Sequence, residues 1–263
     1  MTFWLQLAAS GFVIGALIGM TGVGAGSLTT PLLITGFGIH PAIAIGTDLF
    51  FACVTKLAAG WRHNKLGHVD WRILWPMAAG SLTGAILTLL SLRLLALPAD
   101  VTAMMLRRIL SATLLVSAAA MTVRLTLDLL RPAHAEEPDT SPVTPTICPR
   151  LIATGFALGV MVTLTSIGAG AVGVVALTAL FPAMAAKRIV GTDIVHAIPL
   201  TLVAGVGHMT LGHVDTSVLL ALLAGSIPGI LLGSRMTLHL PDWALRGVLV
   251  VALIYAARLL WQK

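Results

Sequence analysis

The residues able to do chemistry in this chain gather at two glycine-rich interruptions and at a few charged positions inside apolar sequence. The first interruption runs Gly19-Met20-Thr21-Gly22-Val23-Gly24-Ala25-Gly26-Ser27, and the second Thr163-Leu164-Thr165-Ser166-Ile167-Gly168-Ala169-Gly170. Glycine weakens a helix by about 1 kcal/mol per residue relative to alanine, so both stretches read as helix breaks. A break leaves unpaired N–H groups at the start of the next helical piece, carrying roughly half a positive charge from the aligned peptide dipoles. Small anions bind at such termini, and glycine lets them approach the backbone. Thr21, Gly22, Gly24, Gly26 and Ser27 in the first break are therefore candidate anion-binding residues, as are Thr165, Ser166, Gly168 and Gly170 in the second. Close helix packing alone asks for small residues but not for consecutive glycine breaks.

Asp48 and Asp193 each sit in a Gly-Thr-Asp motif within apolar sequence. An ionised carboxylate there costs several kcal/mol, on the order of 3 on insertion scales, which marks a functional candidate. Either it caps a half-helix by accepting free N–H groups, or it takes up a proton during transport. Bare carboxylates beside an anion would repel it, so a capping or protonated Asp fits better. Lys56, eight residues after Asp48 on nearly the same helical face, can pair with Asp48 or with a bound anion. His196, three residues past Asp193, is a proton-relay candidate, with a hydrogen-bonded core histidine as the plainer reading. His63, His68, His208 and His213 have the wrong spacing for a helical metal pair and no Cys or Glu beside them, so no metal or other cofactor is expected. The two Leu-Gly-His-Val-Asp runs read instead as turns: Gly to turn, His toward polar headgroups, Asp to cap the next helix.

These residues need a membrane around them. The chain is 57% hydrophobic and 10% charged, with a mean hydropathy of +0.99; soluble domains carry about 25% charged residues. Ten apolar segments can be drawn, at about 3–20, 24–38, 41–60, 71–92, 105–130, 150–166, 169–182, 187–206, 214–233 and 243–261. The second and seventh are short and read as half-helices. The net charge of +6 comes without any Lys/Arg cluster longer than two residues. That excludes a nucleic-acid partner and fits basic loops facing anionic headgroups.

The sequence divides into a first repeat at 1–130, a Pro-rich acidic linker at 131–149 and a second repeat at 150–263. Gly11, Gly15 and Gly24-Ala25-Gly26 recur as Gly155, Gly159 and Gly168-Ala169-Gly170. After a one-residue slip, Gly46-Thr47-Asp48 recurs as Gly191-Thr192-Asp193, and Leu66-Gly67-His68-Val69-Asp70 as Leu211-Gly212-His213-Val214-Asp215. Basic residues flank opposite ends of the repeated motif: Arg62, Lys65 and Arg72 in one half, Lys187 and Arg188 in the other. The positive-inside rule then gives the repeats opposite topology, with an odd number of segments each, most simply five. Eight full spans with re-entrant pieces is the alternative. The fold expected is thus an all-α polytopic membrane protein of two inverted repeats.

The duplicated glycine break, Gly-Thr-Asp and Gly-His-Val-Asp motifs resemble the TauE/SafE sulfite-exporter family, also called the toluene sulfonate uptake permeases, over nearly the whole chain. The resemblance implies a multi-pass transporter of the bacterial inner membrane that moves sulfite or a small organosulfur anion. The expected mechanism is secondary transport by alternating access around the paired breaks, not catalysis. A channel-like anion pore and a membrane-embedded metal-dependent enzyme are the rival readings. Assembly as a homo-oligomer is left open. The topology is directly testable by labelling of single introduced cysteines. The loops at His63–Trp71 and at Lys187 should label from the cytoplasmic side, and the loop at His208–Asp215 from outside. Labelling of both Leu-Gly-His-Val-Asp loops from one face would mean parallel repeats.

Overall fold

The computed structural model describes residues 2–21, 26–130, 147–236 and 242–262. The described residues form ten helices and no strand: α1 (Thr2–Thr21), α2 (Gly26–Thr35), α3 (Pro41–Lys65), α4 (Trp71–Leu95), α5 (Ala99–Leu130), α6 (Cys148–Thr165), α7 (Ala171–Leu180), α8 (Ala186–Thr210), α9 (Thr216–Met236) and α10 (Asp242–Gln262). Each matches one apolar segment of the sequence. Polar ends make some helices longer than their apolar windows: α3 continues through Arg62 to Lys65, and α5 begins at Ala99, ahead of Arg107 and Arg108. Seven helices among the described residues (α1, α3, α4, α5, α6, α8 and α9) are long and apolar enough to cross a membrane. At 1.5 Å per residue, α2 and α7, ten residues each, reach only about 15 Å, half of a bilayer core of about 30 Å. Large apolar side chains face outward, as lipid demands: Leu94, Leu220 and Val251 are 74%, 65% and 67% exposed. The linker, placed at 131–149 from the sequence, lies outside the described residues as far as 146.

Local chemistry sets the helix ends. Pro41 opens α3, where its missing N–H costs nothing, and His40 Nδ1 accepts the Ala42 N–H at 3.3 Å. Asp70 accepts the Arg72 N–H at 3.0 Å to cap α4, and Asp215 accepts from Ser217 and Val218 at 2.9 and 3.0 Å. Gly67 and Gly212, at φ of 70° and 74°, make the preceding turns in the left-handed region.

The halves are interlocked. The main helix pairs are α1 with α9, α4 with α6, α3 with α8 and α5 with α10, while α2 packs on α3 and α10, and α7 on α8 and α5. Replacing each helix by the one five places along the chain maps these partnerships onto themselves. Two pairs are glycine seams. Gly11, Gly15 and Gly19 of α1 lie against the backbone of α9 at Leu222, Ser226 and Ile230, and Gly225, Gly229 and Gly233 of α9 return the contact. In the same way Gly80 and Gly84 of α4 lie against the α6 backbone at Ile152 and Phe156, and Gly155 and Gly159 of α6 against that of α4 at Met77 and Ser81. Small residues four apart let backbones approach where the hydrophobic effect supplies no drive.

At the centre, α3 and α8 run antiparallel. Gly46, near the start of α3, abuts the His213 carbonyl beyond the end of α8, and Gly191, near the start of α8, abuts that of His68 beyond the end of α3. The Asp215 N–H donates to Thr47 Oγ1 at 3.0 Å, and the Asp70 N–H to Thr192 Oγ1 at 2.9 Å. Each Gly-Thr-Asp motif thus grips the Gly-His-Val-Asp turn of the other half, and the two turns lie at opposite ends of the helix pair. Arg188 adds an ion pair to Asp70 at 2.9 Å.

A β-carbon at Gly159 would overlap the Ser81 carbonyl, whereas one at Gly247 would meet nothing within 4 Å. Gly159→Leu should therefore force α4 from α6, cost about 3 kcal/mol or more and lower the melting temperature in detergent. Gly247→Ala should leave it unchanged or raise it. Equal melting of the two variants would contradict the seam.

Candidate functional site

The second interruption is a short non-helical passage between α6 and α7. Ser166 ends α6 in the left-handed region at φ 59°, with its N–H on the Val162 carbonyl at 2.7 Å. Gly168 and Gly170 follow at φ 127° and 120°, angles open to glycine and costly for any side chain. Thr165 Oγ1 donates to the Met161 carbonyl at 2.6 Å and accepts the Ile167 N–H at 3.2 Å, so its hydroxyl proton is already committed to the turn. Gly170 precedes α7 with no side-chain cap, which leaves the first N–H groups of that half-helix without one. In the first interruption, Gly22 and Gly24 lie outside the described residues. Thr21 ends α1, Gly26 opens α2, and Ser27 on the first turn of α2 is buried.

The charged candidates converge on this passage from both halves. Lys56 on α3 is buried, and its Nζ reaches the Ala169 carbonyl inside the second break at 3.4 Å. Its ammonium lies within electrostatic reach of both Asp193 on α8 and Asp48 on its own helix. Asp48 Oδ2 accepts from Thr30 Oγ1 on α2 at 2.6 Å, and the hydroxyls of Ser166 and Thr29 also face this carboxylate. Asp193 of α8 packs against the first turn of α7: its Oδ1 occupies the space a β-carbon on Gly173 would need. Its carboxylate is turned toward the Gly170 N–H, short of a well-formed bond among the described residues. Both carboxylates are fully buried.

Three features were not read from the sequence. Arg124 on α5 lies within electrostatic reach of Asp193, and a lone arginine in an apolar segment was the available signal. His208, placed by the sequence at the start of the loop that precedes α9, is fully buried and bonds the Thr163 carbonyl through Nε2 at 2.9 Å, which satisfies an end carbonyl of α6. The Nε2–H tautomer that this requires lets Nδ1 accept from His213 Nδ1 at 3.3 Å. His213 therefore does not reach for headgroups as its turn position suggested, and its partial burial, then the nearby His40, hold its pKa below the usual histidine value. His68 likewise faces His63, Nδ1 to Nδ1 at 3.4 Å. His196, fully buried, contacts Ser81 Oγ on α4 through Nε2 at 2.8 Å, and so joins the halves a turn from Asp193.

Described residues that are helical throughout, with seven helices of membrane length and ionisable groups buried around the passage between α6 and α7, define a multi-pass membrane protein. The chain belongs to the Sulfite exporter TauE/SafE family, whose profile matches residues 7–260, and it is a membrane transporter of that family. It is 37% identical over 236 residues to the Probable membrane transporter protein YjnA of Bacillus subtilis (strain 168), covering 89% of this chain and 90% of that one. It is 27% identical over 253 residues to the Probable membrane transporter protein YdhB of the same organism, covering 95% and 96%. No solved structure matches the chain.

The Thr30–Asp48 bond gives a direct test of the site's polar bookkeeping. Thr30→Val keeps the shape and removes a donor from a buried carboxylate, so it should cost about 1–3 kcal/mol and lower the melting temperature. Thr35→Val, which removes only a bond to the Pro31 carbonyl on its own helix, should change it far less. Equal shifts would mean that Asp48 does not depend on Thr30.

Proposed function

We propose that this protein is a secondary transporter of a small anion, sulfite or an organosulfur anion of the sulfonate type, and acts as a carrier rather than a catalyst. The anion binds at the glycine breaks, chiefly through backbone N–H groups, and access alternates as elements rock around them. The observation that carries this reading is the uncapped start of α7 beside the buried ammonium of Lys56, which bonds Ala169 inside the same break. With Asp48 and Asp193 protonated, an N-terminal half-turn and a cation within one passage make a local positive field in low dielectric, where an oxyanion is held without bulk water.

The carboxylates suit coupling rather than contact. Asp193 packs against the turn that the anion would occupy, so binding there is compatible with a protonated or displaced carboxyl, and the proton gradient becomes the natural driving force. Asp48 and His196 are the further proton-coupling or helix-capping residues of this scheme. The reciprocal α3/α8 grip and the exchange of partners five helices apart support a pair of inverted repeats, 1–130 and 150–263, about a fixed central site.

The test combines flux in proteoliposomes with anion-induced thermal stabilisation. Gly168→Val should abolish transport. The β-carbon there would meet the movable end of Met161, so the loss would come from the backbone, since φ 127° excludes a β-branched residue. Lys56→Met should remove most of the stabilisation by sulfite or a sulfonate while the protein stays monodisperse. Wild-type flux from Gly168→Val, or undiminished stabilisation of Lys56→Met, would put the site elsewhere.

A further inference from the structure

Apart from the central site, the molecule carries a basic cavity at one membrane face. We propose that it holds the phosphodiester headgroup of an anionic phospholipid, with an acyl chain lying in the groove beside it. The cavity measures about 520 Å³ and is lined by His40, Asp100, Arg107 and Arg108, with Leu260 and Trp261 closing the α10 side. That volume lies within the range of about 300–1,000 Å³ usual for small-ligand sites. Two guanidinium groups against one carboxylate leave the lining positive. His40 Nδ1 is occupied by the Ala42 N–H, so its Nε2 edge is the part free to donate.

The depth of the cavity matches headgroups. Helix α5, with 32 residues, is about 48 Å long against a hydrocarbon core of about 30 Å, so its ends stand in the interfacial layers. Arg107 and Arg108 lie roughly 12 Å from its first residue, at the boundary where arginine extends toward phosphate. Trp261, on the last turn of α10, is an interfacial residue by type, and it is 68% exposed.

A second observation points to a lipid rather than a free anion. Trp261 also lines an adjoining groove of about 360 Å³ between α5 and α10, together with Leu115, Ile254, Ala257 and Arg258. Leu115 and Ile254 are 50% and 49% exposed, so the groove opens sideways into the bilayer. Its floor is closed by Ser111 Oγ bonding the Ala257 carbonyl at 2.8 Å. A basic cup continuous at Trp261 with an apolar, laterally open groove has the shape of a headgroup with one chain.

The experiment is a melting-temperature series on the purified full chain, with phosphatidylglycerol, phosphatidylcholine or inorganic phosphate added, and native mass spectrometry of retained lipid. Phosphatidylglycerol should raise the melting temperature by several degrees, and phosphatidylcholine and phosphate should not. The Arg107→Gln/Arg108→Gln variant should lose most of the shift and of the retained lipid. Arg108→Gln alone, at an exposed position, should lose a large part and serves if the double variant misfolds. Arg93→Gln, an exposed arginine outside the cavity, should keep the shift. A full shift in the cavity variants overturns the proposal. So does a stabilisation by inorganic phosphate that the wild type shows and the Arg107→Gln/Arg108→Gln variant loses, which would make this a site for a free oxyanion.

Discussion

A helix interrupted inside a bilayer must find partners for its freed backbone groups, because lipid supplies none. Much of this structure follows from how that demand is met between α6 and α7. His208 takes the Thr163 carbonyl, Lys56 takes that of Ala169, and Thr165 ties the turn to itself. The start of α7 faces the Asp193 carboxylate. Lys56, which meets part of that demand, also brings charge to the passage, so in the proposed mechanism holding the break open and drawing an anion to it are one construction.

That construction is shared between the halves. Lys56 and Asp48 reach the second break from α3, and His196 crosses from α8 to Ser81 on α4. The α1/α9 and α4/α6 seams bring helices of opposite halves into backbone contact, and the Thr47 and Thr192 hydroxyls clasp turns of the partner half. Neither half can bury its own motifs alone. The proposed inverted symmetry is nevertheless imperfect at the centre: Lys56 stands where the second half has Thr201, and His196 where the first has Phe51. Among the described residues the buried lysine of the site therefore comes from the first half alone.

The helices were legible because each is a long apolar run ended by Gly, Pro or a capping Asp, and those signals are local. The half-length of α2 and α7 was legible for the same reason, and the capping roles of Asp70 and Asp215 followed from their position before an apolar run. What escaped depends on contacts between residues more than a hundred positions apart. The spacing on α3 showed Asp48 within reach of Lys56 but not Asp193, because a sequence shows neighbours on one helix and not the helix packed across from it. The buried bond of His208 escaped since nothing nearby marks the Thr163 carbonyl as its partner. The seam glycines served as repeat markers while their four-residue spacing, the sign of backbone contact, went unused.

The central claim is that an oxyanion sits at the broken helix. Anomalous diffraction from crystals grown with selenite, the heavier analogue of sulfite, locates it without reference to any mutant. The account predicts a selenium peak beside the start of α7, its oxygens within about 3 Å of the Ala171 and Val172 N–H groups and on the Lys56 side of the passage. A peak bound elsewhere, with the break empty in protein that still transports, would contradict it.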